Sequence, residues 1–190
     1  MDVAISEWVS KNLHGNDIIN HIMFFITEIG IGYIFWLLFI LGILIYHLIT
    51  KKKFSVNVLL FLVFLLLSYL LGECGLKLIF RRTRPYYSIV EFQSFMAQYH
   101  YSLPSGYSFP SGHTFSAFTV AVSITLYNKK LGFILIPFAT LVGFSRIFIG
   151  AHFFSDVLAG AIFGTLLGIG HYYTCKYINI KRKDLKYLCD

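Results

Sequence analysis

The sequence predicts an all-α fold: a multi-pass transmembrane helical bundle of about five spans, with an N-terminal interfacial helix. Three observations predict it. The 190-residue chain is 57% hydrophobic and only 13% charged, with a mean hydropathy of +0.69. Several apolar runs reach the roughly 17–25 residues needed to cross a bilayer. Lysine and arginine collect between those runs rather than inside them. The length suits a single domain, residues 1–190. In a soluble protein a net charge of +7 would suggest nucleic acid. Here the positive-inside rule accounts for most of it, and the expected partner is the bilayer, with no nucleic acid.

The first element, within residues 2–20, mixes Val3, Ile5, Trp8, Val9 and Leu13 with Asp2, Glu7 and Lys11. That spacing predicts an amphipathic helix at the interface, anchored by Trp8. A cleaved signal peptide is not expected, because Asp2 and Glu7 stand where a basic segment would be and no apolar run begins before Ile22. Asn16 or Asp17 caps the next helix, which runs through His21 to Glu28 and breaks or bends at Gly30-Ile31-Gly32. Tyr33 to Ile49 forms the first span, ending at Lys51-Lys52-Lys53. Val56 to Lys77 forms the second and Ser111 to Tyr127 the third. Leu131 to Ser145 forms the fourth, with Pro137 inside it. Phe153 to Tyr173 is the fifth, and its Gly160, Gly164 and Gly168 form a small-residue stripe that predicts close helix packing. Segments 51–53, 128–130 and 176–190 carry three, two and five of the sixteen Lys and Arg. Placing them inside puts the C-terminus in the cytoplasm of a cell-membrane protein. The ends that bear Lys77, Arg84 and Arg146 then face outward. Cys74, Cys175 and Cys189 are too widely spaced for a disulfide framework or metal motif.

The chemistry concentrates at one end of these spans. His152 and Asp156 are four residues apart, so on a helix they share a face and a hydrogen bond is expected between them. Such a bond fixes the imidazole tautomer and leaves the other nitrogen free to attack. Arg146 adds a planar, permanently charged donor fork. Two further segments converge with this one if the topology holds: Lys77 with Arg84-Pro85 in KLIFRRTRP, and Pro110-Ser111-Gly112-His113.

Together the three segments resemble the signature of the type 2 phosphatidic acid phosphatase superfamily, which also includes vanadium haloperoxidases and bacterial acid phosphatases. The resemblance spans about residues 56–175. It implies a membrane lipid phosphatase with His152 as nucleophile through a phosphohistidine, and Asp156 as its orienter. It implies that His113 protonates the leaving oxygen and then activates water. It requires no metal or other cofactor, and the carboxylate clusters usual for Mg²⁺ do not appear in the sequence. The residue types agree with such chemistry. Phosphoryl transfer depends on positioning and on charge around three equatorial oxygens, for which Lys77, Arg84 and Arg146 are cations. Ser111 and Gly112 open a helix, where free N–H groups favour an anion and glycine admits a close approach.

Ser145 is expected to order the pocket, and Glu73 to support Lys77 through an i,i+4 ion pair. Arg81 and Arg82 are read as snorkelling or as touching lipid head groups. Arg81 is the better placed, because it shares a helical face with Lys77 and Arg84 if the helix runs that far. His14, His21, His47, His100 and His171 are read as solvated or bonded to a neighbour. Pro104-Ser105-Gly106 repeats the second motif but is followed by Tyr107, and is read as a loop. The connection 86–109 is expected to fold over the mouth of the site, with Phe92, Phe95 and Met96 against the lipid.

Among substrates the resemblance offers undecaprenyl diphosphate, phosphatidylglycerophosphate and phosphatidate, and an outward-facing site puts the first ahead. Gly112 does not choose among them, although some bacterial undecaprenyl diphosphatases carry Asp there. A non-catalytic lipid-phosphate carrier, a lipid phosphotransferase and a vanadate-dependent oxidase are the other readings of the same residues.

Overall fold

The computed structural model describes residues 1–31 and 56–187, together with the isolated positions 42, 45 and 49. The span expected over Tyr33 to Ile49 otherwise lies outside the described residues. Those three positions are helical.

The N-terminal region divides into α1 (Asp2–Asn12) and α2 (Asp17–Ile31). The turn between them ends at Asn16, whose Oδ1 accepts from Ile19 N–H at 3.1 Å and so starts α2. Helix α3 (Val56–Tyr69) is apolar all round and continues into a π-helical segment, Leu70–Leu76. A short α4 (Lys77–Phe80) follows. The extra residue per turn in the π segment re-aims what comes after it. The helix stops at Phe80 because Arg81 is left-handed, with φ 46°.

Helices α5 (Pro85–Ser88) and α6 (Val90–Gln98) form a cap, and α7 (Gly112–Tyr127), α8 (Lys129–Phe148) and α9 (Phe154–Tyr187) complete the bundle. Asn128 Oδ1 caps α8 by accepting from Lys130 N–H. The segments Val56–Ser88, Lys129–Phe148 and Phe154–Ile180 are long and apolar enough to cross a membrane. Their outward faces carry exposed Leu59, Leu66, Phe133, Ile134, Ile162 and Leu166. At 16 residues, or about 24 Å, α7 is shorter and packs among α3, α8 and α9.

The glycine stripe sets how closely α9 lies on α7. A methyl at Gly160 would meet Ser111 O at 2.6 Å, one at Gly168 would meet Thr119 O at 2.8 Å, and one at Gly164 would run into Phe115 O. The two backbones therefore touch, as small-residue stripes permit. That contact brings the start of α9 beside the start of α7. The C-terminal end of α8 and the π segment of α3 join them there. Lys129, Lys130 and Lys176 lie toward the opposite ends of the same helices.

The cap corrects one expectation. Phe92, Phe95 and Met96 are buried, two of them completely, and face the protein rather than lipid. They form a core with Val9 of α1, Phe24 of α2, Ile147 and Phe148 at the end of α8, and Ile149 and Ala151 after it. His14 stacks on Phe95 with ring centroids 3.5 Å apart, and its Nε2 pairs with Phe148 O at 2.8 Å. The aromatic residues of this connection shield the turn that precedes His152, because burying a phenylalanine against it is worth about 1.5–3 kcal/mol. Tyr87 and Val90 are the large apolar residues that the two cap helices leave exposed.

Candidate active site

At the end of the bundle where α3, α7, α8 and α9 meet, a cavity of about 770 Å³ is lined by Lys77, Arg84, Gly112, His113, Arg146 and His152. It continues along α3 over Leu62, Leu65, Leu66 and Tyr69. The polar end can take a phosphate, and the apolar arm can take a hydrocarbon.

His152 is 1% exposed. Its Nδ1 lies 2.7 Å from the carbonyl oxygen of Ser108. A carbonyl only accepts, so Nδ1 carries the proton and Nε2 presents its lone pair to the cavity. Burial, then the charges of Arg84, Arg146 and Lys77, hold its pKa well below 6.5, against the opposing bond to Ser108. The ring is therefore a neutral imidazole at neutral pH.

Asp156 does not make the hydrogen bond expected of it. Its Oδ2 is 3.8 Å from His152 Nδ1. That oxygen instead accepts from Phe153 N–H at 2.8 Å and, at very short range, from the Ser108 hydroxyl. Asp156 thus holds the residue that holds the histidine. Its Oδ1 takes Arg82 Nη1 at 2.7 Å.

Arg84 is fixed by carbonyls. Its Nε donates to Gly106 O at 3.0 Å, Nη2 to Ser105 O at 2.9 Å and Nη1 to Ala151 O at 3.0 Å. Nη1 also lies 3.3 Å from His152 Nε2. The second Pro-Ser-Gly sequence is a loop, as read, and its backbone positions this arginine. Arg146 is 1% exposed, and its Nη1 donates to Thr27 Oγ1 and to Tyr101 Oη, each at 3.1 Å. Thr27 in turn pairs with Ser145 Oγ at 2.9 Å, which places Ser145 behind Arg146.

Lys77 donates to both oxygens of Glu73, at 2.6 and 2.7 Å. This pair is close to neutral, so Arg84 and Arg146 supply most of the net positive charge toward the cavity. A side chain at position 112 would run into Glu73 Oε1. Gly112 thus leaves Glu73 in place on Lys77, where a side chain would push that carboxylate aside, a reason the sequence did not reveal.

His113 faces His152 with ring centroids 6.5 Å apart, and its Nε2 is buried without a hydrogen-bond partner among the described residues. Two residues fall outside the constellation. Ser111 is fully buried and does not line the cavity: its amide is committed to Asp156 O at 3.0 Å, while its hydroxyl accepts from Thr114 and keeps its own proton to donate. Arg81 is exposed and left-handed, and its Nε donates to its own helix at Leu78 O. It shares no face with Lys77 and Arg84, because the helix ends before it. Arg82, given second place in the sequence reading, reaches Asp156 instead. Ser108 was missed, because a backbone carbonyl leaves no mark on residue type.

A neutral imidazole facing fixed cations, at the head of an apolar groove in a membrane bundle, is equipped to take phosphate from a lipid. That is the chemistry of a membrane-bound lipid phosphatase. The chain belongs to the PAP2 superfamily, whose family profile matches residues 57–180. It is 30% identical over 171 residues to the undecaprenyl-diphosphatase BcrC of Bacillus subtilis strain 168, covering 88% of this chain and 81% of that one. The fold superposes on a transmembrane PAP2-type phosphatidylglycerolphosphate phosphatase from Bacillus subtilis with a TM-score of 0.72 and 27% identity, over 95% of this chain and 85% of that one. Aquifex aeolicus LpxE gives a TM-score of 0.66 at 26% identity, over 90% and 93%.

Proposed function

We propose that this single-domain protein removes the terminal phosphate of undecaprenyl diphosphate on the outer face of the cell membrane, with its C-terminus in the cytoplasm. The observation that carries the chemistry is the fixed tautomer of His152, whose Nε2 lone pair faces the cavity beside Arg84. Nε2 attacks phosphorus, the bond to the leaving oxygen breaks, and His113 delivers a proton to that oxygen. Water, deprotonated by His113, then attacks phosphorus and breaks the P–N bond, releasing inorganic phosphate. Arg84, Arg146 and Lys77 hold the equatorial oxygens throughout. Two observations support the substrate and the sidedness. The similarity to an undecaprenyl-diphosphatase covers most of both chains. Lys129, Lys130 and Lys176 lie toward the helix ends away from the site, the ends expected in the cytoplasm.

Phosphatidylglycerophosphate is the second reading, favoured by the fold's likeness to a phosphatase of that lipid. Purified protein given polyprenyl diphosphate, phosphatidylglycerophosphate and phosphatidate in parallel decides between them. Phosphate release fastest from the polyprenyl diphosphate is expected, with none from His152→Ala. Binding without release would point to a carrier, and phosphate appearing on an alcohol acceptor would point to a phosphotransferase.

A further inference from the structure

Arg82 and Asp2 lie 80 residues apart in sequence and meet beside the nucleophile without lining the cavity. Arg82 Nη2 donates to Asp2 Oδ2 at 2.7 Å, while Nη1 donates to Asp156 Oδ1 at 2.7 Å and to Ser155 Oγ at 2.6 Å. The guanidinium carbon sits 4.2 Å from the centroid of the Phe153 ring. One planar fork thus joins two carboxylates from opposite ends of the chain, the geometry for which arginine is suited and lysine is not. Asp2 also binds Ser155 through its hydroxyl and its N–H, so α1 caps the start of α9 from outside. Burial raises the Asp2 carboxyl, but the bonds from Ser155 and Arg82 outweigh it and hold the group below its ordinary 3.8.

Beyond Arg82 the contacts run inward without a gap. Asp156 Oδ2 takes the Ser108 hydroxyl and Phe153 N–H. Ser108 N–H donates to Arg82 O at 2.8 Å, and Ser108 O takes the proton of His152. The segment that carries Arg82 therefore grips Ser108 twice, once by its backbone and once through Asp156.

We propose that Asp2 and Arg82 are a positioning pair for the phosphatase reaction, clamping Asp156 and, through Ser108, setting the ring of His152. The N-terminal helix is thereby part of the catalytic apparatus rather than only a membrane-surface element. Neither residue lines the cavity, so their loss changes turnover and leaves binding alone. This rests on the reading of His152 as nucleophile.

The test uses the full-length protein in detergent with a soluble aryl phosphate, and compares Arg82→Ala, Arg82→Lys, Asp2→Ala and the double alanine variant, with His152→Ala in parallel. Arg82→Ala is expected to lower kcat about tenfold or more, the usual scale for a group that orients a reacting side chain. KM and inhibition by inorganic phosphate are expected to stay within about twofold. Asp2→Ala is expected to lower kcat about threefold and to add nothing in the Arg82→Ala background, since both act through one contact. Arg82→Lys is expected to recover part of kcat, because an ammonium reaches one carboxylate but not both. Thermal melts are run on every variant. A kcat unchanged in Arg82→Ala overturns the proposal, as does a loss confined to KM and phosphate affinity. Recovery of kcat on cooling by the fall in Tm also overturns it, because that shows a stability role alone. If Arg82→Ala does not fold, Arg82→Lys and Asp2→Ala decide by the same criteria. Activity surviving in His152→Ala instead removes the nucleophile reading, which separates the two failures.

Discussion

The Nδ1 of His152 lies 2.7 Å from the carbonyl oxygen of Ser108, while the nearest Asp156 oxygen is 3.8 Å away. The backbone therefore receives the imidazole proton, and the carboxylate acts one step behind it. This predicts a milder effect of Asp156→Asn than in a triad where the carboxylate itself fixes the tautomer. Where it does, the corresponding change costs about 10⁴ in kcat. Here the tautomer survives, but the amide nitrogen cannot accept from Ser108 Oγ and Phe153 N–H as Oδ2 does. Each lost acceptor costs about 1–3 kcal/mol. The expected outcome is a fall in kcat of roughly 10- to 100-fold, with a fall in Tm, measured beside an inactive His152→Ala.

The charge around His152 predicts the acid limb of the pH profile. Burial and then the Arg84 guanidinium depress its pKa below 6.5, and in the proposed mechanism only the neutral ring attacks. The limb of kcat/KM set by protonation of His152 should therefore lie below pH 6.5. The sign for stability is the same. The unfolded chain takes up the proton first, so the contribution of His152 is complete above pH 6.5 and is lost as pH falls through the depressed folded value. Arg84→Gln removes the largest of the nearby charges and should move the limb upward. An NMR titration of the His152 ring in that variant reads the shift directly, even where turnover is too slow to follow.

Gly150 predicts a mechanical link between the cap and the site. Its φ is +72°, and a methyl there would run into the Phe92 ring. Left-handed backbone costs a non-glycine residue about 1–2 kcal/mol, and overpacking adds about 1–3 kcal/mol. Gly150→Ala should lower stability by about 2–5 kcal/mol on these figures. It should also reduce kcat by shifting residues 146–152. Phe92→Ala should destabilise by about 3–5 kcal/mol. It should also relieve the clash, so the double variant should be less damaged than the two single losses added together. Thermal melts of the three variants check this.

What could be read in advance depended on whether a residue type or a spacing carried the information. The glycine stripe on α9 announced its packing, because only small residues allow α7 that close. Glu73 and Lys77 announced their pairing by being one turn apart. The lysine, arginines and histidines that line the cavity were legible for a similar reason, since side-chain chemistry stays the same wherever the chain folds. Arg81 and Arg82 were ranked in the wrong order because that choice depended on where a helix ends, and neither proline nor glycine marks that end. The aromatic residues of α6 looked lipid-facing because burial against protein and burial against lipid select the same side chains. The carbonyl of Ser108 and the pairing of Arg82 with Asp2 are contacts of the folded chain alone, made across 44 and 80 residues.

His113 provides the sharpest separation of the two chemical steps. Its Nε2 is buried and unpartnered among the described residues, close to the nucleophile. In the proposed mechanism its first task is to protonate the leaving oxygen, a contribution of about 10²–10⁴ where that oxygen is a poor leaving group. An aryl phosphate with an acidic phenol leaves without that proton. His113→Ala should therefore transfer phosphate to His152 from such an ester at nearly the parent rate, while an alkyl phosphate slows by the full factor. In the second step the variant has no base to activate water, so the phosphoenzyme accumulates whatever the first leaving group was. Rapid mixing should show a burst of about one equivalent of phenol per enzyme followed by a slow steady state. Acid-labile, base-stable label should remain on the protein. Equal loss on both esters with no burst would show that His113 is needed to bind phosphate rather than to move a proton.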